Sequence, residues 1–183
     1  MKKIAHTIAL PETLITTYLE ITRRAAFRPA FLQDSSHVSI VQMQTPDVPF
    51  YLFLYQEVGE QWLWIDRLKL NYETLEEMLG NPNVSVDVLY VDGVPAGYVE
   101  IARVERTFEI AYFGLRSPFF GRGLGKHLLS HGIKRSLDEG AHRIWLHTCN
   151  LDGPQALSNY LKRGFRVYKV EEEPMPKKFQ MHL

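Results

Sequence analysis

Leu115-Arg116-Ser117-Pro118-Phe119-Phe120-Gly121-Arg122-Gly123-Leu124-Gly125-Lys126 is the stretch around which this chain is organised. An apolar, strand-like run, Phe108 to Leu115, precedes it, and Leu124, Leu128, Leu129, Ile133 and Leu137 follow at the spacing of one helix face. A Gly-rich loop therefore joins a strand to the start of a helix. Glycine lets backbone approach a ligand closely and adopt positive φ, and the first amides of a helix have no internal partner. Together these features make an anion site, most often for phosphate. Arg116, Arg122 and Lys126 cluster where the phosphates would sit. Two familiar patterns fail here: G-x-G-x-x-G meets Lys126 at its third glycine, and G-x-x-x-x-G-K-[ST] meets Phe120 at its first position and His127 at its last. The plainer reading is a Gly-rich turn without a ligand.

A third pattern, [QR]-x-x-G-x-[GA], is met in its second half by Gly123-Leu124-Gly125, with Phe120 at the leading position. Downstream of the strand-like run Arg143 to Cys149, the pattern N-x-x-A-x-x-x-Y-x-x-x-G-F is met by Ala156, Tyr160, Gly164 and Phe165, with Gly153 in place of the asparagine. Both signatures, in this order and at this distance, belong to the GNAT acetyltransferases, and the chain resembles that superfamily over about residues 84–170. Thr17 to Glu20, the aromatic segment Phe50 to Trp64, and Thr148 to Pro154 further resemble a bacterial GNAT subgroup with no settled substrate. The resemblance implies acetyl-coenzyme A as cosubstrate and no metal. It places the cosubstrate on Phe113, Leu115, Gly121, Arg122, Gly123, Gly125, Lys126, Gly153 and Tyr160, with Asn150 as the candidate to replace the missing asparagine's contact.

The implied reaction moves an acetyl group directly from coenzyme A to a primary amine. An ammonium must lose a proton before it can attack, the thioester oxygen must be stabilised, and the departing thiolate needs a proton. Glu109, fourteen residues ahead of Gly123, matches the glutamate base of some GNAT histone acetyltransferases. Its plainer reading is a solvent-facing strand residue, and Glu100 or water is the rival base. The resemblance gives the oxyanion to a backbone N–H near Phe113, where the family's strand bulges and splays; Gly114 fits such an irregularity. It gives the thiolate's proton to Tyr160, otherwise read as a packed aromatic. The aromatics of the 50–64 segment line a pocket for a small, partly apolar amine or simply pack the core. A protein lysine or N-terminal amine, and a non-catalytic acyl-coenzyme A-binding module, are the alternatives. His127 and His131 share a helix face, but no third metal ligand has a motif spacing. His147 and Cys149 share a strand face, but no third residue is placed to orient a thiol nucleophile.

Composition narrows the setting. The chain has 183 residues, most simply one domain, and 21 basic residues balance 21 acidic ones. Neutrality gives no general pull toward nucleic acid or an anionic membrane. The lone Cys149 excludes an internal disulfide and fits a reducing compartment. No run reaches transmembrane length and the N-terminus makes a poor signal peptide, so cytoplasm is the expectation. A homodimer is a family-level expectation.

The remaining pattern predicts an α+β fold: a GNAT-like mixed, mostly antiparallel central sheet flanked by helices, with a strand–Gly-rich loop–helix–strand acyl-coenzyme A site. Residues 1–13 read as a loose arm, 14–21 as an extended segment and 38–43 as the first sheet strand. A helix follows with Phe50, Phe53, Leu54 and Val58 on its inner face, Tyr51 and Tyr55 elsewhere, and Gly59 as its stop. A second helix covers 71–79. Strands 84–91, 95–104 and 107–115 form a meander turned first at Asp92-Gly93. Helix 123–138, strand 143–149, a helix near 154–163 and strand 165–170 complete the order, with parallel pairing across the 108–149 crossover. Residues 171–176 read as an exposed link and 179–183 as an edge strand.

Overall fold

The computed structural model describes residues 10–180, with Gln180 by its backbone alone. Parts of the expected N-terminal arm and of the expected C-terminal edge strand lie outside the described residues. In chain order come β1 (Thr13–Ile21), β2 (Val38–Gln42), α1 (Val48–Gly59), α2 (Tyr72–Gly80), β3 (Val84–Val91), β4 (Val94–Val104), β5 (Thr107–Leu115), α3 (Leu124–Asp138), β6 (Arg143–Cys149), α4 (Ala156–Lys162), β7 (Arg166–Pro174) and α5 (Lys177–Gln180). The strands form one sheet in the order β2-β3-β4-β5-β6-β1-β7. Among the described residues only β5 and β6 run parallel, as expected of strands joined by a crossover helix. No described helix is long and apolar enough to cross a membrane.

Helices cover both faces. Leu124, Leu128, Leu129 and Ile133 of α3 pack with Val99, Ile101, Phe108 and Ile110. On the opposite face α1 and α2 pack with Val86, Val88 and Tyr98. The alternation of β4, Val99 and Ile101 against Tyr98 and Glu100, feeds both layers. Asp47 starts α1 by accepting from Phe50 N–H at 2.9 Å, and Asn71 starts α2 by accepting from Thr74 N–H at 2.9 Å. Asp92 and Gly93 both take positive φ, +49° and +79°, as a tight hairpin requires.

The structure departs from the sequence expectation in four places. First, the extended segment near the N-terminus is a full strand inserted between β6 and β7, so β2 is the second strand and lies at the sheet edge. Second, the inner face of α1 carries Tyr51, Leu54, Tyr55 and Val58, while Phe53 is exposed. The tyrosines go inward because their hydroxyls find partners there: Tyr51 donates to Glu100 at 2.6 Å and Tyr55 accepts from Arg67 N–H at 3.3 Å. Gly59 is needed for the approach of Trp64, whose ring fills the space a Cβ would take; the left-handed turn falls on Leu63. Third, 171–174 belong to β7, paired with β1 as far as Thr13–Pro174. Their acidic side chains are exposed because β7 is an edge. Fourth, Phe179 lies in the short helix α5 and packs with Leu14, Ile65 and Met175.

Candidate active site

β5 bends where the site begins. Tyr112 lies opposite Glu100 and Ile110 opposite Ile101, so Ala111 is the extra residue of a bulge. Pairing of β5 with β6 stops just before it, running only from Thr107–Arg143 to Glu109–Trp145. Beyond that point the two strands splay, and a cavity of about 940 Å³ fills the region between them. It is lined by β5 from Glu109 to Leu115, by His147 and Cys149 of β6, and by Tyr160 of α4. Gly114 lets α1 close over this strand, since a Cβ there would collide with Val58.

The Gly-rich loop opens onto the same cavity through Phe120, Gly121 and Gly125. Gly121 and Gly123 have φ of +76° and +75°, and nothing lies near a Cβ on Gly121, so its backbone conformation alone calls for glycine. Gly123 caps α3 without any side-chain hydrogen bond, leaving the first amides of a fifteen-residue helix, Gly125 and Lys126 among them, without a capping side chain. Gly123 faces Leu32 and the Lys126 stem. Arg122 borders a separate small pocket of about 190 Å³ with Leu32, Asp34 and His37.

The ionisable groups divide by their surroundings. Glu109 is 27% exposed and reaches the cavity. Burial, followed by the charge of Glu100, pushes its carboxyl above the ordinary range, and Arg67 opposes the shift. Glu100 is almost fully buried and already engaged: it accepts from Tyr51 at 2.6 Å and pairs with Arg67 at 2.6 Å. Tyr160 is buried, lies edge-on to Phe113 with ring centroids 6.1 Å apart, and is held protonated by burial and the nearby Asp152 charge. Cys149 is pushed up to about 11, chiefly by burial, a poor setting for a thiolate. His131 is bonded to Asp87 at 2.7 Å and His127 accepts from Leu32 N–H at 3.2 Å, so the two imidazoles serve different partners. Among the described residues no cluster of three or more His, Cys, Asp or Glu could hold a metal.

One wall of the cavity is aromatic. Tyr55, Trp64 and Tyr112 pack mutually with centroids 5.1–5.6 Å apart, and Arg67 lies 5.0 Å over Tyr112. Asp152 accepts from Thr148 Oγ1 at 2.6 Å and Cys149 N–H at 2.9 Å, fixing the turn after β6. No motif marks Arg67 or Tyr112, and Asp152 is marked only as part of the Thr148 to Pro154 stretch.

Residues 51–165 match the Acetyltransferase (GNAT) family. The chain belongs to the GNAT family. Its fold is shared with a functionally unknown conserved protein from Staphylococcus epidermidis (TM-score 0.62, 16% identity, covering 87% of this chain and 60% of that one). An aminoglycoside acetyltransferase from an uncultured soil metagenomic sample is also similar (0.60, 16%, 70% and 88%). So is the PaiA N-acetyltransferase of Thermoplasma acidophilum, solved with coenzyme A (0.55, 17%, 75% and 98%). The chain thus spans about three-fifths of the Staphylococcus protein's length.

Seen as a GNAT chain, its two departures from the signatures have visible surroundings. Phe120 is 46% exposed at the cavity rim. Gly153 lies under the Trp62 ring, whose carbons stand 3.2–3.3 Å from the position of a Cβ. Asn150 does not line the cavity. Its side chain holds β1 instead, accepting from Ile15 N–H at 3.0 Å and donating to Thr13 O at 2.9 Å.

Proposed function

We propose that this GNAT chain is an acetyl-coenzyme A-dependent N-acetyltransferase that moves an acetyl group directly to a primary amine on a small molecule. The observation that carries the reading is the splay of β5 from β6, which puts Glu109, Tyr160 and the uncapped α3 amides around one cavity. The loop amides fit a pyrophosphate, with Gly121, Gly123, Gly125, Arg122 and Lys126 as its surroundings. Leu115 and Phe113 lie along the path from that loop to the bulge. Glu109 takes the ammonium proton, its raised pKa making the carboxylate a stronger base than an exposed glutamate. A backbone N–H at Phe113 receives the thioester oxygen. The amine attacks the carbonyl carbon, the C–S bond breaks, Tyr160 gives its proton to the departing sulfur, and the second proton shed by the nitrogen as it becomes an amide restores the phenol. The aromatic wall of Tyr55, Trp62, Trp64 and Tyr112 supports a compact amine with an apolar body rather than a long polymer.

A thermal unfolding scan tests the donor. Acetyl-coenzyme A at about a hundred times Kd adds about 2.7 kcal/mol to the native state, a rise of roughly 5–10 °C for a domain of this size. ATP and NAD should not reproduce it. No shift with acetyl-coenzyme A would end the reading. Free-thiol release over a panel of amines then identifies the acceptor. The exposed Phe120 and the covered Gly153 favour a second reading, an acyl-coenzyme A-binding module without turnover. Tyr160→Phe separates the two: an enzyme loses turnover and keeps donor affinity, whereas a binding module releases no thiol with any amine even in the parent protein.

A further inference from the structure

The bulge leaves one histidine facing the candidate base. His147 Nδ1 lies 3.9 Å from Glu109 Oε1, and the two side chains are 49% and 27% exposed. Both line the cavity. Glu109 is the last residue of β5 that pairs with β6, opposite Trp145, and His147 stands two residues beyond Trp145 on β6. The imidazole is held in place by ring neighbours, Tyr18 at 5.8 Å and Trp145 at 6.3 Å. A distance of 3.9 Å is too long for a direct hydrogen bond, and a small side-chain rotation closes it to hydrogen-bond reach. Of the two side chains, His147 has the larger exposed fraction.

We infer that His147 is the proton relay of this site, carrying the proton that Glu109 removes from the acceptor out to bulk water. This rests on the acetyl-transfer reading above. The ammonium gives one proton to the Glu109 carboxylate, leaving the amine its lone pair. Glu109 passes that proton to His147 Nδ1, and His147 releases a proton from Nε2 to water, so both groups return to their starting charge. No oxidant or further reactant enters. The environment suits the exchange: burial raises Glu109 and lowers His147, drawing their affinities for a proton together. The charged groups around them are Asp152 beyond β6, Asp66 after α1, and Arg67 with Glu100. Asp152 and Asp66 favour the imidazolium, Glu100 favours protonated Glu109, and Arg67 opposes that; Asp66 is itself paired with Lys178 of α5 at 3.0 Å. Tyr18 donates to Glu171 and is thereby turned away from relay duty.

Two measurements test the relay. NMR titration of His147 in the full chain should show its midpoint falling in Glu109→Gln, because a carboxylate that favours the imidazolium has gone; an unmoved midpoint overturns the coupling. In thiol-release kinetics His147→Gln should lower kcat about tenfold or more and shift the acid limb of its pH profile. The KM for acetyl-coenzyme A should hold, and added imidazole should restore part of the rate. A profile matching the parent's, or a rate loss that imidazole leaves untouched, overturns the relay while the transfer reading stands. A parent protein that releases no thiol with any amine brings down the transfer reading itself, and the relay with it.

Discussion

At the scale of single residues, the site turns on how burial sets protonation. Glu109 and Glu100 sit on neighbouring strands, yet only Glu109 of the two lines the cavity, while Glu100 is held by Tyr51 and Arg67. As the proposed base, Glu109 must be ionised to act, and its pKa is raised. Turnover should therefore climb with pH through a point above the ordinary glutamate range, and Glu109→Gln should cost about a hundredfold in kcat and erase that limb, as read from a pH series of thiol release. Stability runs the other way. A carboxyl whose folded pKa is raised stabilises the fold below its unfolded pKa, and that contribution is lost as pH rises through the folded value. Urea denaturation at neutral pH should thus find Glu109→Gln no less stable than the parent. Gly153→Asn restores the family's residue but pushes on the Trp62 ring. The expected result is a shifted tryptophan emission and a small loss of stability, about 1–2 kcal/mol; an unchanged spectrum would mean the ring does not sit on that backbone.

At the scale of elements, the fit of α1 on β5 shapes the cavity. Val58 occupies the space above Gly114, and Trp64 that above Gly59. Gly114→Ala should destabilise by about 1–3 kcal/mol through overpacking. Adding Val58→Ala should recover part of that loss, so a double-mutant cycle in urea should show a coupling of about 1 kcal/mol. Strict additivity would mean that the helix does not press on the strand there. The same contact shows why periodicity misplaced the inner face of α1. Phe50 and Phe53 are the more apolar residues, but Tyr51 and Tyr55 bury their rings and still satisfy their hydroxyls at Glu100 and Arg67.

Across the whole molecule, α3 is tied to the sheet by charge as well as by its leucines. Asp87 of β3 is buried, and Arg135 and His131 of α3 both bond to it, with Arg135 also reaching Gln42 of β2. Burial alone would raise the Asp87 carboxyl, but these hydrogen bonds and charges outweigh it and hold it below the usual range. A group lowered in this way stabilises the fold above its unfolded pKa, about 3.9, and the contribution is lost as pH falls through the folded value. Asp87→Asn should cost about 3 kcal/mol at neutral pH, since it leaves a cation beside buried surface, and should flatten the acid limb of the stability profile below about pH 4. The sequence by itself determined the order of the elements from β2 to α4, the Gly-rich turn into α3 and the Ala156–Phe165 signature, because each is written in neighbouring residues as periodicity, turn chemistry or fixed spacing. It also marked Glu109 and Tyr160 as candidates, by position within those patterns. Only the tertiary structure decided that β1 enters between β6 and β7, that Glu100 is spent on Arg67, that Trp62 covers Gly153, and that His147 faces Glu109. Each of these joins residues distant in the chain, and a contact set by a bulge and a splay between two strands leaves no local pattern in the order of amino acids.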